Sequence, residues 1–353
     1  MSNDEKNINV YRSCTDLETC DMMIATHIGE TTKILSPCCV LSVSNSAAEL
    51  TDDPEESLNN FLEFRRNMIE ENKRVYHTDD QTRVYTNQCL YCPKYNIDEW
   101  GAITSDTIPY INLSMYPSPC QSKCLYCNIH LSDQSIDDRS KEAYDRVFKF
   151  LRYLKENNIL KEDIIYQVST GEISIHPYKD KILEIVDGSP VTFFSNCYKF
   201  DQEIANHLKA DARSTINVSI DSGTATTWKK IKGYNTFNSV LNNVRKYYKY
   251  CDQVNHQQIG LKYIVLPGIN TRMEDYLGII KIMKEFDIKD LIISRDVRVM
   301  YNMPETDKDE LFNHIIDIAT VCRLNGLSYK LAEGGFTISE TDHVAEMVEK
   351  NMG

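Results

Sequence analysis

From residue 105 onward, short runs rich in β-branched and aromatic residues alternate with helical runs, and few architectures accept that order. "IPYINLSMY" is strand-like. "SKEAYDRVFKFLRYLKENN" is helical, with Tyr144, Val147, Phe148, Leu151 and Leu154 on one face. The pattern continues as "DIIYQVSTG" and "KDKILEIV", "PVTFFSN" and "DQEIANHLKA", then "STINVSIDS" and "NTFNSVLNNVRKYYKY". It ends with "QIGLKYIVLPG" and "MEDYLGIIKIMKEF", then "DLIISRDV" and "DKDELFNHIIDIATVCRLN". The units recur at roughly 30-residue intervals. Such alternation favours a parallel sheet with helices outside it, and right-handed crossovers curl that sheet toward a barrel. The expected fold is α/β: a partial (β/α)6 TIM-like barrel.

Residues 1–105 look different. They are polar and irregular, apart from "DPEESLNNFLEFRRNMIEENKRVY", where Leu58, Phe61, Phe64 and Met68 fall at helical spacing behind an acidic start. Three regions are expected: a small irregular cysteine-rich region over 1–105, the barrel over 106–300, and a C-terminal helix with an extension closing the barrel over 301–353. Of the 12 cysteines, nine precede residue 128, and only Cys197, Cys251 and Cys322 follow, scattered singly. In a long chain whose start, "MSNDEKNINVY", does not read as a secretory or transit signal, clustered cysteines read as metal ligands in a reducing compartment. The expected location is cytoplasmic, and no apolar run approaches the roughly 20 residues of a membrane span. A net charge of -13, from 39 basic and 52 acidic residues, argues against broad nucleic-acid contact, which needs basic surface.

The most informative loop follows the first strand of the series. "PSPCQSKCLYCN" holds Cys120, Cys124 and Cys127 at spacing C-x3-C-x2-C. In parallel barrels chemistry collects at the C-terminal ends of strands. Thiolates select zinc or iron–sulfur clusters, and closed zinc sites mostly use two C-x2-C pairs. A [4Fe-4S] cube needs one ligand per iron, so three cysteines leave one iron open. The loop resembles the signature of the radical S-adenosylmethionine (SAM) superfamily, in which an aromatic residue precedes the last cysteine; Tyr126 holds that place. The resemblance implies that the amino and carboxylate groups of SAM take the open iron.

Further positions extend the resemblance. Thr170, Gly171 and Glu172 align with a Gly-Gly-Glu-like turn that binds the SAM amino group, Thr170 replacing the first glycine. Ser219 and Asp221 stand where the family places polar contacts to the ribose; by strand alternation they share a face with Asn217, opposite Ile216, Val218 and Ile220. Val265 through Asn270, "VLPGIN", match a turn found near the adenine. Lys262 and Arg295 are basic residues inside strands, and each needs an anionic partner: the SAM carboxylate, an acidic substrate group, Glu172 or a plain internal ion pair. Cys197 ends the third strand in "FFSNCYKF", where a thiol could return a hydrogen atom to a substrate radical; the bland reading is a buried thiol with no role. His176 and His130 lie near the expected rim, as local hydrogen-bonding residues or as an acid or base.

The N-terminal cysteines resemble SPASM or twitch auxiliary-cluster domains. Those show a cysteine, a glycine, a "PCC"-like end, a helix, then C-x2-C-P, and they follow the barrel rather than precede it. Here Cys20, Gly29, Cys38 with Cys39, "SLNNFLEF" and Cys89 with Cys92 supply the parts. The resemblance implies a second [4Fe-4S] cluster on Cys20, Cys38, Cys89 and Cys92, with Cys39 as the alternative to Cys38; zinc on the same four residues is the competing reading. Cys14 is left out of the set, and His27 is a contact beside it.

Taken with the resemblance, the expected function is that of an oxidoreductase-type radical SAM enzyme. It would cleave SAM reductively to a 5′-deoxyadenosyl radical and take a hydrogen atom from a peptide or small polar substrate, leading to oxidation, epimerisation or bond formation. The implied electron donor is a flavodoxin or ferredoxin. The alternatives are a zinc- or cluster-stabilised scaffold without turnover, and a nucleic-acid-modifying relative.

Overall fold

The computed structural model describes residues 12–24, 32–37, 47–78, 95–97, 106–127, 135–251, 258–296, 305–332, 335–336 and 338–353. The six expected strands all form: β6 (Ile108–Leu113), β7 (Leu160–Val168), β8 (Val191–Ser195), β9 (Thr215–Ser219), β10 (Ile259–Val265) and β11 (Asp290–Arg295). They lie side by side in chain order, parallel throughout. The helices between them are α3 (Asp138–Glu156), α4 (Lys179–Val186), α5 (Gln202–Ala210), α6 (Ala225–Lys232), α7 (Phe237–Tyr250) and α8 (Met273–Glu285). α9 (Glu305–Leu324) leads into a seventh parallel strand, β12 (Ser328–Leu331), and α10 (Ile338–Met352) ends the chain. The sheet is a partial barrel that does not close.

From residue 106 onward α6, β12 and α10 escape the sequence pattern, and residues 1–105, expected to be irregular, also form short strands and α1 (Thr15–Thr19). α6 is eight residues long, too short for its periodicity to stand out, but its ends are marked: Thr224 accepts from Thr227 N at 3.2 Å as N-cap, and Gly233 follows with φ +81. β12 is four residues long and never fully buried, so it lacks an apolar run.

The sheet also extends the other way. β2 (Met22–Ile24) pairs parallel to β6; β3 (Lys33–Ser36) and β4 (Ala48–Glu49) follow antiparallel, making ten strands in all. α2 (Pro54–Thr78) packs Leu58, Phe61 and Met68 inward, as its spacing predicts, with Phe64 partly buried. A separate antiparallel pair joins β1 (Arg12–Cys14) to β5 (Tyr95–Ile97). Arg65 of α2 is fully buried and holds α1 (Thr15–Thr19): it donates to the carbonyls of Leu17 (2.7 Å) and Glu18 (3.0 Å) and to Asp106 (3.2 Å). The last carbonyls of so short a helix need partners from outside it, and the guanidinium supplies them.

The expected face of α3 is the buried one; Tyr144, Val147, Phe148, Leu151 and Leu154 are each at most 1 % exposed. Each such side chain contributes roughly 1.5–3 kcal/mol by leaving water. Helix starts are capped by carboxylates, Asp137 on Ser140 N (2.8 Å) and Asp201 on Glu203 N (3.0 Å). The result is a rigid sheet whose C-terminal strand ends carry the loops described next.

Candidate active site

The loop after β6 turns through residues 114–127 and brings Cys120, Cys124 and Cys127 to the rim, each half-buried. All three line one cavity of about 240 Å³. Its other walls come from the ends of neighbouring strands: Gly171 after β7, Ser195 and Asn196 at the end of β8, and Ser219 of β9. The loop is fastened by backbone bonds from Lys123 N to Lys232 O (3.1 Å) and Leu125 N to Ile231 O (2.9 Å), with a turn from Cys127 N to Cys124 O (3.0 Å). Thus α6, the helix the periodicity missed, is the platform on which the cysteine loop rests.

Gly171 shows why the turn after β7 needs glycine. Its φ is +39, and a Cβ there would lie 2.4 Å from Ser118 Oγ and 2.8 Å from the carbonyl oxygens of Ser118 and Pro119. Glu172 N donates to Pro119 O at 3.0 Å, so the turn and the cysteine loop are closely joined. Thr170 is buried and donates to Met115 O at 2.6 Å. Glu172 is fully buried. Its carboxylate accepts from Ser174 Oγ (2.7 Å), Ser195 Oγ (2.9 Å), Ser174 N (3.2 Å) and Asn196 N (2.7 Å). Burial raises its pKa above the usual carboxylate value, while those donors work to lower it.

A buried triad stands behind the loop. Lys232 Nζ lies 2.5 Å from Asp221 Oδ2 and donates to Tyr126 Oη at 2.6 Å; the Tyr126 hydroxyl donates to Asp221 Oδ2 at 2.5 Å. Burial alone lowers the Lys232 ammonium, but the charges of Asp221 and Cys124 outweigh it, and the net shift is upward. Asp221 sits at φ +47, past the end of β9, and this breaks the strand alternation expected of it. Its second oxygen accepts from Ile264 N at 2.7 Å. Asn270, the last residue of "VLPGIN", clasps the same corner through Asp221 O (2.9 Å), Ile264 O (2.8 Å) and Leu266 N (2.8 Å).

The structure therefore gathers Cys120, Cys124, Cys127, Tyr126, Gly171 and Ser219 around one cavity, with Thr170, Glu172 and Asp221 engaged by protein groups. Three expected site residues lie elsewhere. Val265 is fully buried in the core, because it falls on the helix-facing side of β10. Arg295 forms a two-pronged ion pair with Glu340 of α10, at 3.0 and 3.2 Å. Cys197 is corrected from a rim position to the core: it is 0 % exposed and does not line the cavity, and burial raises its thiol well above the ordinary range. His176 is also internal. Tyr178 N donates to its Nδ1 (3.1 Å), which leaves Nε2 to donate to Tyr144 Oη (3.0 Å). His130 and His27 lie outside the described residues.

Lys232, Ser122 and Asn196 are site residues that the sequence pattern did not single out. Ser122 Oγ is 3.0 Å from Cys124 Sγ, and Asn196 Nδ2 donates to Cys120 Sγ at 3.5 Å. Only the Lys-rich end of α6 before Gly233 signalled Lys232. Among the described residues no group of three or more His, Cys, Asp or Glu is arranged around a single metal ion. Three thiols spread around one cavity, with polar donors and an ammonium beside the sulfurs, suit a multi-iron cluster with one thiolate per iron. Of the second set, Cys20 is fully buried, with its thiol pushed up to about 11 chiefly by burial. Cys38, Cys39, Cys89 and Cys92 lie outside the described residues.

A partial parallel α/β barrel with three thiols at its C-terminal rim is the class of protein that builds a cluster site from a single loop. Residues 118–280 match the family model of the Radical SAM superfamily, a region containing the cysteine loop and β7 to β10. Residues 118–280 thus form a radical SAM domain. Similar solved structures include SuiB from Streptococcus suis bound to precursor peptide SuiA, at 14% identity and TM-score 0.47, covering 84% of this chain and 57% of that one. Another is anSMEcpe with bound AdoMet, at 17% identity and TM-score 0.47, covering 63% and 64%. A radical SAM methyltransferase from Sphaerobacter thermophilus matches at 12% identity and TM-score 0.40, covering 60% and 63%. The chain spans less than two thirds of each neighbour's length. No curated protein sequence matches it.

Proposed function

We propose that the cavity holds a [4Fe-4S] cluster on Cys120, Cys124 and Cys127, with SAM at the open iron, and that the protein takes a hydrogen atom from a peptide or small polar substrate. The observation that carries this reading is the meeting of three thiols and Gly171 at one cavity, with no fourth thiol among its described lining residues. The bound pair would supply one-electron chemistry able to activate an unreactive carbon. Ser122 and Asn196 place donors on two of the sulfurs. Gly171 lets the backbone approach the loop closely, and Ser219 offers a hydroxyl at the same wall. Glu172 holds Ser195 and Asn196 in place from behind and is our candidate for the SAM amino group. Thr170 acts through the Met115 carbonyl it holds, Val265 leads from β10 into the turn that Asn270 clasps, and Arg295 fixes the C-terminal helix. Asp221 acts on the cofactor through Tyr126. Cys20, Cys38, Cys89 and Cys92 are proposed to hold an auxiliary cluster, a flavodoxin or ferredoxin to supply electrons, and the cytoplasm to be the site of action.

Anaerobic reconstitution tests the central claim. The wild-type protein should bind about four irons and four sulfides at this site and form 5′-deoxyadenosine from SAM on reduction with dithionite. Cys120→Ala, Cys124→Ala and Cys127→Ala should each lose both. A colourless protein that binds zinc and produces no 5′-deoxyadenosine would rule the reading out.

A further inference from the structure

The parallel strands have two faces of different character. The helix-facing side is apolar and closed: Ile111, Tyr166, Phe193, Val218, Leu261 and Ile293 are each at most 1 % exposed. The inner face is polar and in register. Asn112 lies beside Gln167, Gln167 beside Thr192, Phe194 beside Asn217, and Ser219 beside Lys262. From mid-strand to the C-terminal rim, none of the described inner-face residues of β6 to β11 is acidic. Asp290 stands at the far, N-terminal end, where Lys330 takes its carboxylate at 2.6 Å.

Lys262 is the cation on that stretch. Among the described residues its ammonium has no hydrogen bond or ion pair; its contact is the Phe194 ring, with 5.9 Å from Nζ to the centroid. Phe194 and Ser219 both line the cavity of the three cysteines. Lys232 makes the contrast, since its charge is met by Asp221 and Tyr126. Burial pulls the Lys262 ammonium below its ordinary value, Asp221 offsets this in part, and Lys232 adds to it. A half-buried cation without a counter-ion is unfavourable until an anion arrives. The neighbouring amides lean the same way. Tyr110 donates to Gln167 Oε1 (2.8 Å) and Ser169 to Asn112 Oδ1 (3.2 Å), so both acceptor ends are engaged and the donor ends remain.

The geometry points to Lys262 as the residue that selects an anionic substrate: the molecule entering the inner face carries a carboxylate or phosphate, which pairs with this ammonium. The inference rests on the radical SAM reading above and names the substrate class that the reading leaves open.

The probes are succinate and neutral succinamide, followed by saturation-transfer NMR on anaerobically reconstituted, SAM-loaded enzyme, and inorganic phosphate, followed by its displacement of succinate in the same experiment. Lys262→Gln should weaken the anions about ten-fold while succinamide is unaffected, and Lys262→Arg should retain them. The tighter of succinate and phosphate identifies the source of the charge. Equal binding of succinate and succinamide, or anion binding that survives Lys262→Gln, overturns the proposal. So does a ten-fold loss of SAM affinity in Lys262→Gln by equilibrium dialysis, because the anion would then belong to the cofactor. Failure of the underlying reading looks different: wild-type protein without iron and sulfide, or without 5′-deoxyadenosine on reduction. That outcome removes the proposal with it.

Discussion

Replacing Lys232 by Met leaves Asp221 as a buried carboxylate stripped of its ion-pair partner. The Lys232 and Asp221 side chains are 1% and 0% exposed, so water does not replace the lost partner. Removing one member of a buried ion pair costs about 3–5 kcal/mol. The Tyr126 hydroxyl and Ile264 N still donate to the carboxylate, which places the expected loss at the lower end, about 3 kcal/mol. Asp221→Asn alone should cost a similar amount, since it strands the ammonium. The double variant, with neither charge, should recover about 2 kcal/mol of the summed losses. Urea unfolding of the four proteins measures the cycle, with fluorescence of Trp228, whose ring lies 5.5 Å from Lys232 Nζ, as a local probe. The same Lys232→Met protein should reconstitute with less iron, because the platform under Lys123 and Leu125 is loosened. Additive losses, or a single-variant cost under about 1 kcal/mol, would refute the view that this pair acts as one unit beneath the cysteine loop.

Three further outcomes follow from the geometry. His176 is held neutral by burial, with its pKa lowered to about 4 from 6.5. The unfolded chain then binds the proton first, so stability should fall as the pH drops from about 6.5 to about 4, by an amount on the order of 3 kcal/mol; His176→Gln should flatten that slope in a pH series of thermal melts. Gly171→Ala should lower iron incorporation and destabilise the protein by about 1–3 kcal/mol, read by iron analysis and urea unfolding, because its Cβ meets Ser118 and Pro119 and its φ is positive. Cys197→Ala should cost about 1 kcal/mol in unfolding experiments yet keep 5′-deoxyadenosine formation per folded molecule, since the thiol is enclosed in the core.

The barrel was legible because its strands and helices each repeat their own apolar period over many residues. α3 showed its buried face in advance, as did β9, whose inner and outer residues follow period two. The cysteine loop was legible because ligand spacing within one loop is a local property. α6 and β12 were not, being too short for either period to register.

What the order of residues determined by itself was the fold class and the place of the cysteine loop after the first barrel strand. Only the tertiary structure decided which side chains share a charge. Asp221 read as a cofactor contact by resemblance and as an inner-face residue by alternation, but a left-handed backbone at the strand end turns it to Lys232, eleven positions away on another element. Arg295 found Glu340, and Cys197 went to the core. Periodicity and ligand spacing are local and can be read along the chain. The pairing of buried charges depends on which atoms the packed elements bring within a few ångströms, and no local pattern records that distance.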